Sequence, residues 1–265
     1  PPVETSLDRM ASWRRIAYAA LAAGRLSRLI SRLHPRVMHF FLAEAYIAGA
    51  PLAVLQRVPV RIMGRRSLNQ YQTHWPGAAR LERWLHPQMT AVLGNSRAIV
   101  GDLRDREGCD PAQIGLIYNG VDLATFGQPR DRAAIRAGLG IGADTLVAIK
   151  VANLNSYKGH ADLIAGLGGI KQRMPPSWLV LLVGRDRGIQ AALEAEVRRQ
   201  GIGANVRFLG ARTDVADLLA ASDLGVLCSH EEGFSNAIIE SMAAGLAMVV
   251  TDVGGNPEAV VHGET

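Results

Sequence analysis

An α/β protein built from two doubly wound domains is predicted by three features of the chain. Apolar runs such as LGVLC (Leu224 to Cys228) and MVVT (Met248 to Thr251) are continuous rather than alternating, as expected of strands buried on both faces of a parallel sheet. Between those two runs the order strand, loop, helix, strand is complete. With 265 residues, 48% of them hydrophobic and 20% charged, the chain is long enough for two ordinary domains.

Taken in order, Ser12 to Leu33 has helical period, with Leu26, Leu29, Ile30 and Leu33 on one face and Arg25, Arg28 and Arg32 on another. Such a basic amphipathic helix suits the outside of an α/β domain, and also an anionic lipid surface. His34-Pro35 ends it, and Val37 to Phe41 reads as a buried strand with His39 and Phe41 at its carboxyl end, where open α/β sheets bind ligands. His39 reads equally as a core histidine. The next strand, Pro59 to Met63, delivers GRRSLNQY (Gly64 to Tyr71), whose adjacent Arg65 and Arg66 suit bidentate phosphate contacts or a solvated pair at a helix end. A helix through Leu81 to Leu85, a strand Thr90 to Leu93 ending at Asn95-Ser96, a helix to about Glu107 and a strand Gly115 to Tyr118 complete this half. Gly120, within NGVD (Asn119 to Asp122), and Pro129 punctuate a linker, giving domains 1–128 and 129–265.

The second half opens with a strand, Thr145 to Val151, leading into ANLNSYKGH. Lys158 in that loop and Ser235 in a later one leave the same sheet edge, so Lys158 can reach a diphosphate docked at Ser235. Leu179 to Val183 runs into VGRDRG, where Gly184 would let a ligand approach the backbone and Arg185 adds charge. Helix Ile189 to Gln200, strand Val206 to Leu209 and the turn GARTD follow. GLGIGA (Gly138 to Ala143) fits a loose dinucleotide template but precedes its strand, so it reads as a helix stop.

The stretch EEGFSNAIIESMAAG (Glu231 to Gly245) carries the chemistry. Ser235 suits the N-cap of a helix running to Ala244, with Gly245 as its stop, so the backbone N–H groups near Ser235, Asn236 and Ala237 form an anion site reinforced by the helix dipole. At about 1.5 Å per residue, the Glu240 carboxylate lies roughly 7 to 8 Å from that terminus, the distance from a diphosphate to ribose hydroxyls. Glu232 lies on the other side, where a sugar beyond the diphosphate would sit. The same stretch also fits a surface loop with a solvated acidic pair.

Composition narrows the classes. Net charge +5 and a pI near 9.6 favour anionic partners, but aromatics are only 5% and no base-stacking or groove-reading motif appears, which argues against nucleic acid. The two cysteines, Cys109 and Cys228, have no companion ligands at metal spacing and read as buried small hydrophobes in a reducing compartment. No apolar run is long enough for a membrane span, no signal-peptide pattern is present, and no D-x-D occurs.

EGFSNAIIE resembles the E-x7-E signature of retaining GT-B glycosyltransferases, and the longer run through GGNPE is similar to family 4. NGVD resembles the family's domain join, and GRRSLN an S-R-R-S-L-N segment of bacterial members that build surface polysaccharides. Two positions depart from the pattern: Asn153 stands where arginine is common, and Phe41 where a second histidine is common. The resemblance implies the GT-B arrangement, two doubly wound domains facing a cleft. It implies transfer of a hexose from a UDP-sugar to a glycan or lipid-linked acceptor, with retention and with neither metal nor cofactor, in the cytoplasm or at the inner membrane face. Glu232 and Lys158 would be catalytic. Asn153, Gly184, Arg185, Arg212, Thr213, Gly233, Phe234, Ser235, Asn236 and Glu240 would hold the donor, with backbone at Ala211 to Thr213 meeting the base. His39, Arg65, Arg66, Asn95 and Gly120 would line the acceptor side. An epimerase or phosphorylase on the same architecture, or a nucleotide-sugar-binding module without catalysis, are the alternatives. Because the chain opens at Pro1-Pro2 without a leading strand and stops soon after Glu258, it is expected to be a fragment lacking elements at both ends.

Overall fold

The computed structural model describes residues 12–68, 72 and 76–265, so Pro1-Pro2 and Asn69 to Tyr71 of the arginine loop lie outside the described residues. The chain divides into two compact units between Tyr118 and Asn119.

The first unit runs α1 (Ser12–Leu33), β1 (Val37–Phe41), α2 (Ala43–Leu55), β2 (Val60–Arg65), α3 (Pro76–Leu85), β3 (Ala91–Gly94), α4 (Arg97–Asp105) and β4 (Ile114–Leu116). Its four strands are parallel and lie in the order β1-β2-β3-β4, with Val37 opposite Val60, Ile62 opposite Ala91 and Val92 opposite Ile114. Phe40, Tyr46, Met63, Leu85, Val92, Ile99 and Leu103 form its core.

Three expectations change here. Among the described side chains of α1 only Ile30 is buried, with Leu26 packed beside the core, whereas Leu29 and Leu33 are 50% and 64% exposed, so the stripe from Leu26 to Leu33 is narrower than the sequence predicts. β1 ends the sheet order and exposes Val37 and Phe41 at 52% and 49%; it is an edge strand with Phe40 alone buried, not a strand covered on both faces. α2, AEAYIAGAPLAVL, was hidden in the sequence because it is apolar on all sides and therefore shows no amphipathic period. Its small residues make the contact: a Cβ on Gly49 would lie 2.8 Å from the Phe40 ring.

The second unit contains α5 (Leu123–Phe126), α6 (Arg132–Gly138), β5 (Leu146–Val151), α7 (His160–Ile170), β6 (Trp178–Val183), α8 (Gln190–Gln200), β7 (Val206–Gly210), α9 (Val215–Ala220), β8 (Leu224–Leu227), α10 (Asn236–Ala243), β9 (Ala247–Val250) and α11 (Asn256–Ala259). All five strands are parallel in the order β7-β6-β5-β8-β9. β6 explains why such strands are continuous apolar runs. Val180 and Leu182 join the core beside Ile164, Leu193 and Val197, while Leu179, Leu181 and Val183 join the opposite one beside Leu218 and Leu219. α6 stops at the expected glycine cluster, with Gly140 at φ 61°.

The linker expected to close the first domain belongs with the second unit. Asn119 Nδ2 donates to the Phe234 carbonyl at 2.9 Å and to Asn236 Oδ1 at 2.7 Å, contacts internal to the second unit.

Candidate functional site

The second sheet winds outward in both directions from β5: β6 and β7 lie on one side, β8 and β9 on the other. Loops leaving adjacent strands β5 and β8 therefore diverge over opposite faces and leave a crevice at their carboxyl ends. The β5 loop carries Lys158, and the β8 loop carries Glu232.

These two side chains meet. Lys158 Nζ lies 2.7 Å from Glu232 Oε1, with side-chain exposures of 18% and 9%, so the pair is partly withdrawn from water. Ser229, fully buried, donates its hydroxyl to the same oxygen at 2.7 Å. Its carbonyl in turn accepts from Thr251 Oγ1 at 2.6 Å, tying the loop to the end of β9. Oε1 is thus held by two donors, while Oε2 has no partner among the described residues. The two residues singled out in the sequence, Glu232 and Lys158, are in contact, and Ser229, a polar residue at a strand end, joins them with no spacing to mark it.

Two glycines fix the loop. Gly159, at φ 67°, lies so close to the Cys228 carbonyl that a Cβ would sit 1.8 Å from the oxygen. Gly254, at φ 52°, has the same relation to the Glu232 carbonyl, with 1.7 Å to the oxygen. Gly233 is buried beside them, its carbonyl accepting from Gly255 N at 2.9 Å.

Ser235 stands at the N-cap of α10 as expected, but its hydroxyl makes no capping hydrogen bond, so no side chain of its own competes for the N–H groups of the first turn. An anion can take them, and the helix dipole favours one there. Phe234 is partly buried, and Asn236 is held by Asn119. Glu240 is half-buried and its carboxylate has no partner among the described residues; burial pushes its pKa above the ordinary 4.5. Burial, then the charge of Glu232, also raises the neighbouring Glu231. A charge-poor surrounding of this kind strengthens any hydrogen bond a ligand offers to Glu240.

The remaining donor-side expectations divide. Asn153 is exposed and spends its Oδ1 on Arg185 N at 3.0 Å, tying the β5 and β6 loops together. Gly184 is required for a different reason than ligand approach: a Cβ there would lie 2.0 Å from the Ala152 carbonyl, so the close neighbour is backbone. Arg185 is exposed near this junction. Arg212 forks onto Asp214 at 2.8 and 2.5 Å, beside exposed Thr213. Arg212 is therefore already paired within its own turn.

On the first unit, Arg65 corrects the sequence reading. It is 3% exposed and donates to both oxygens of Glu107 at 2.9 Å and to Glu82 Oε2 at 3.3 Å. His86 Nε2 lies 2.8 Å from Glu107 Oε2, and Tyr46 Oη lies 3.1 Å from His86 Nδ1. Burial alone would raise the Glu107 pKa, but the hydrogen bond from His86 and the charge of Arg65 outweigh it and bring it below 4.5. Arg65 closes this buried network and is not a phosphate ligand; only Arg66 of the pair is exposed. His39 is exposed, its ring centroid 4.0 Å from that of Phe41 with the planes tilted by 34°, and partial burial lowers its pKa. It is therefore not a core histidine. Asn95 is buried at the end of β3, and Ser96 caps α4 by accepting from Ile99 N at 3.1 Å. Gly120 is exposed in the segment that packs with the second unit. No group of three or more His, Cys, Asp or Glu residues among the described residues is arranged to hold a metal ion.

Comparison with known proteins places this geometry. Residues 131–265 match the family described as Glycosyl transferases group 1, and residues 4–125 match Glycosyltransferase Family 4. The chain is 33% identical over 174 residues to a D-inositol 3-phosphate glycosyltransferase of Segniliparus rotundus, covering 64% of this chain and 38% of the relative. It is 32% identical over 152 residues to an N-acetyl-alpha-D-glucosaminyl L-malate synthase of Bacillus anthracis, covering 57% and 39%. Among solved structures it is similar to Anabaena HepE in complex with UDP and glucose, at TM-score 0.80 and 26% identity, covering 90% of this chain and 65% of that one. The chain thus spans less than half the length of these curated relatives. With matching family descriptions on both units and parallel α/β sheets in each, the chain belongs to the group 1 and family 4 glycosyltransferases of GT-B fold.

Proposed function

We propose that the protein transfers a hexose from a UDP-sugar to a glycan or lipid-linked acceptor with retention of configuration, without a metal or other cofactor. The observation that carries this reading is the Glu232 carboxylate, fixed through Oε1 by Lys158 and Ser229 with Oε2 open, on the loop that leads directly to the uncapped start of α10. HepE, similar over most of this chain, has been seen with UDP and with UDP-glucose, which supports the donor class.

In this reading the diphosphate docks at the first turn of α10, Glu240 accepts from the ribose hydroxyls and Glu232 Oε2 accepts from the sugar. Lys158, adjacent to both, stabilises charge as the glycosidic bond lengthens, together with the helix terminus. The departing phosphate oxygen takes the acceptor's proton on the same face of the sugar. Double displacement by Glu232 is disfavoured, because one oxygen is already committed to two donors.

A peripheral contact with an anionic membrane at the cytoplasmic face forms part of the proposal. It is supported by α1, which presents Leu21, Leu29 and Leu33 at 64%, 50% and 64% exposure together with exposed Arg25, Arg28 and Arg32. No helix among the described residues is long and apolar enough to cross a membrane.

The test is a screen of the complete protein against UDP- and GDP-sugars with glycan and lipid-linked acceptors, reading released nucleotide and the product anomer. UDP release that depends on acceptor and gives the donor's anomeric configuration is expected. Inverted product would sink the mechanism, and sugar interconversion without acceptor would move the protein to the epimerases.

A further inference from the structure

Next to the Glu232 loop, β5 carries a functional group that the proposed transfer does not use. Lys150, on the central strand β5, is completely buried and paired in register with Leu182 of the neighbouring β6. Its Nζ has one hydrogen-bond partner among the described residues, Cys228 Sγ at 3.3 Å. Cys228, just past β8, is only partly buried, contrary to the expectation of an enclosed hydrophobe, and its thiol donates to the Gly159 carbonyl at 2.9 Å. An ammonium group has three donors and needs anionic or water partners to stay charged in an apolar interior. One sulfur does not meet that need, and burial pushes the Lys150 pKa below the ordinary 10.5. Burial and then the charge of Lys150 bring nearby His160 down to about 4, so it contributes no charge of its own near neutrality. Burial outweighs the opposing effects of Cys228 and Glu232 on Lys150, while Lys158 acts in the same direction as burial. The geometry places a buried primary amine nitrogen 3.3 Å from a sulfur whose residue is reachable from solvent.

We propose that Lys150 and Cys228 form a sulfenamide cross-link on exposure to hydrogen peroxide, tying the carboxyl ends of β5 and β8 together beneath the Lys158 and Glu232 loops. Peroxide first converts the thiol to a sulfenic acid, releasing water as the O–O bond breaks. The amine nitrogen then attacks sulfur; an S–N bond forms, the S–O bond breaks, and hydroxide leaves and takes a proton from nitrogen as a second water. Thiol, amine and one peroxide thus give sulfenamide and two waters, sulfur being oxidised and peroxide reduced. A small thiol in excess reverses the step, returning thiol and amine and leaving its own disulfide. Cys109 supplies an internal contrast, since it is buried in the other unit and burial raises its pKa to about 12.

The experiment is peptide mapping by mass spectrometry after treating the protein with hydrogen peroxide. Expected is a Lys150-to-Cys228 linked peptide pair lighter by two hydrogens than its separate parts, with loss of tryptic cleavage after Lys150 and full recovery on adding dithiothreitol. Cys228→Ser and Lys150→Met abolish the link, and Cys109→Ser keeps it. Cys228 found as sulfinic acid with normal cleavage at Lys150, or recovered as unmodified thiol, overturns the proposal. If Lys150→Met fails to fold, the unmutated digest and Cys228→Ser decide. Because the readout is a covalent mass, it stands whether or not sugar transfer is found.

Discussion

Each unit withdraws an ion pair from water, and the two pairs differ in what they leave open. In the first unit, Glu107 has both oxygens occupied, by Arg65 and His86, and Glu82 accepts from Arg65 and from Gln72 at 2.5 Å. In the second, Glu232 has one oxygen occupied and one open. Both clusters join a glutamate to a basic side chain, but Arg65 ends β2 and meets groups from helices and a helix end, whereas Lys158 and Glu232 sit in the loops that follow β5 and β8. A buried carboxylate with both oxygens occupied can only hold structure, because a ligand would have to displace internal donors. A half-satisfied carboxylate, oriented through one oxygen, is preorganised to accept from a substrate through the other.

The difference is sharpest in stability. Glu107→Ala leaves the Arg65 guanidinium, 4% exposed at its side chain, without its main partner, and is expected to cost about 3 to 5 kcal/mol in urea unfolding. Since the folded pKa of Glu107 lies below its unfolded value, its contribution is present above pH 4.5 and is lost as pH falls through the folded value. Wild-type stability unchanged by Glu107→Ala would mean that the network holds nothing.

Glu232→Gln, by contrast, is expected to leave stability nearly unchanged and to slow transfer about a hundredfold with little effect on free UDP affinity. Calorimetry showing a large loss of UDP binding would assign Glu232 to the nucleotide instead. Glu240→Ala should weaken UDP and UDP-sugar alike by about 2 kcal/mol, the scale of a charge-assisted hydrogen bond. With its pKa raised by burial, Glu240 protonates at a higher pH than an exposed carboxylate, so nucleotide affinity should begin to fall above pH 4.5 on acidification, and this component should vanish in the variant. The smallest effect is expected for Lys158→Ala: about tenfold weaker UDP binding, near-normal uridine binding and a flatter salt dependence. Equal losses for uridine and UDP would indicate a displaced loop rather than a lost charge.

Much of the fold was legible because β5, β6, β8 and β9 are short apolar runs bounded by turns, and their order along the chain fits a doubly wound sheet. α2 was not, because a helix buried all round carries no period. Glu232, Lys158 and the start of α10 were legible through spacing and resemblance. Arg65 was misread because local sequence cannot show that Glu82 and Glu107, remote in the chain, converge on it. The closeness of Gly184 to the Ala152 carbonyl, just past the end of β5, was hidden for a similar reason. Ser229 and Lys150 carry no motif; their contacts arise only when β5, β8 and β9 are assembled.

Gly159 and Gly254 press on the two ends of one short segment, the first against the carbonyl of Cys228 and the second against that of Glu232. For anyone seeking to redirect the proposed transfer to another sugar, this divides the site into editable and uneditable parts. Random libraries that touch either glycine will be dominated by inactive clones, since even alanine collides with main chain that cannot swing aside as a side chain would. Diversity is better placed at Glu231 and Phe234, whose partly exposed side chains border the segment, so that specificity can be searched without disturbing the backbone that aims the carboxylate.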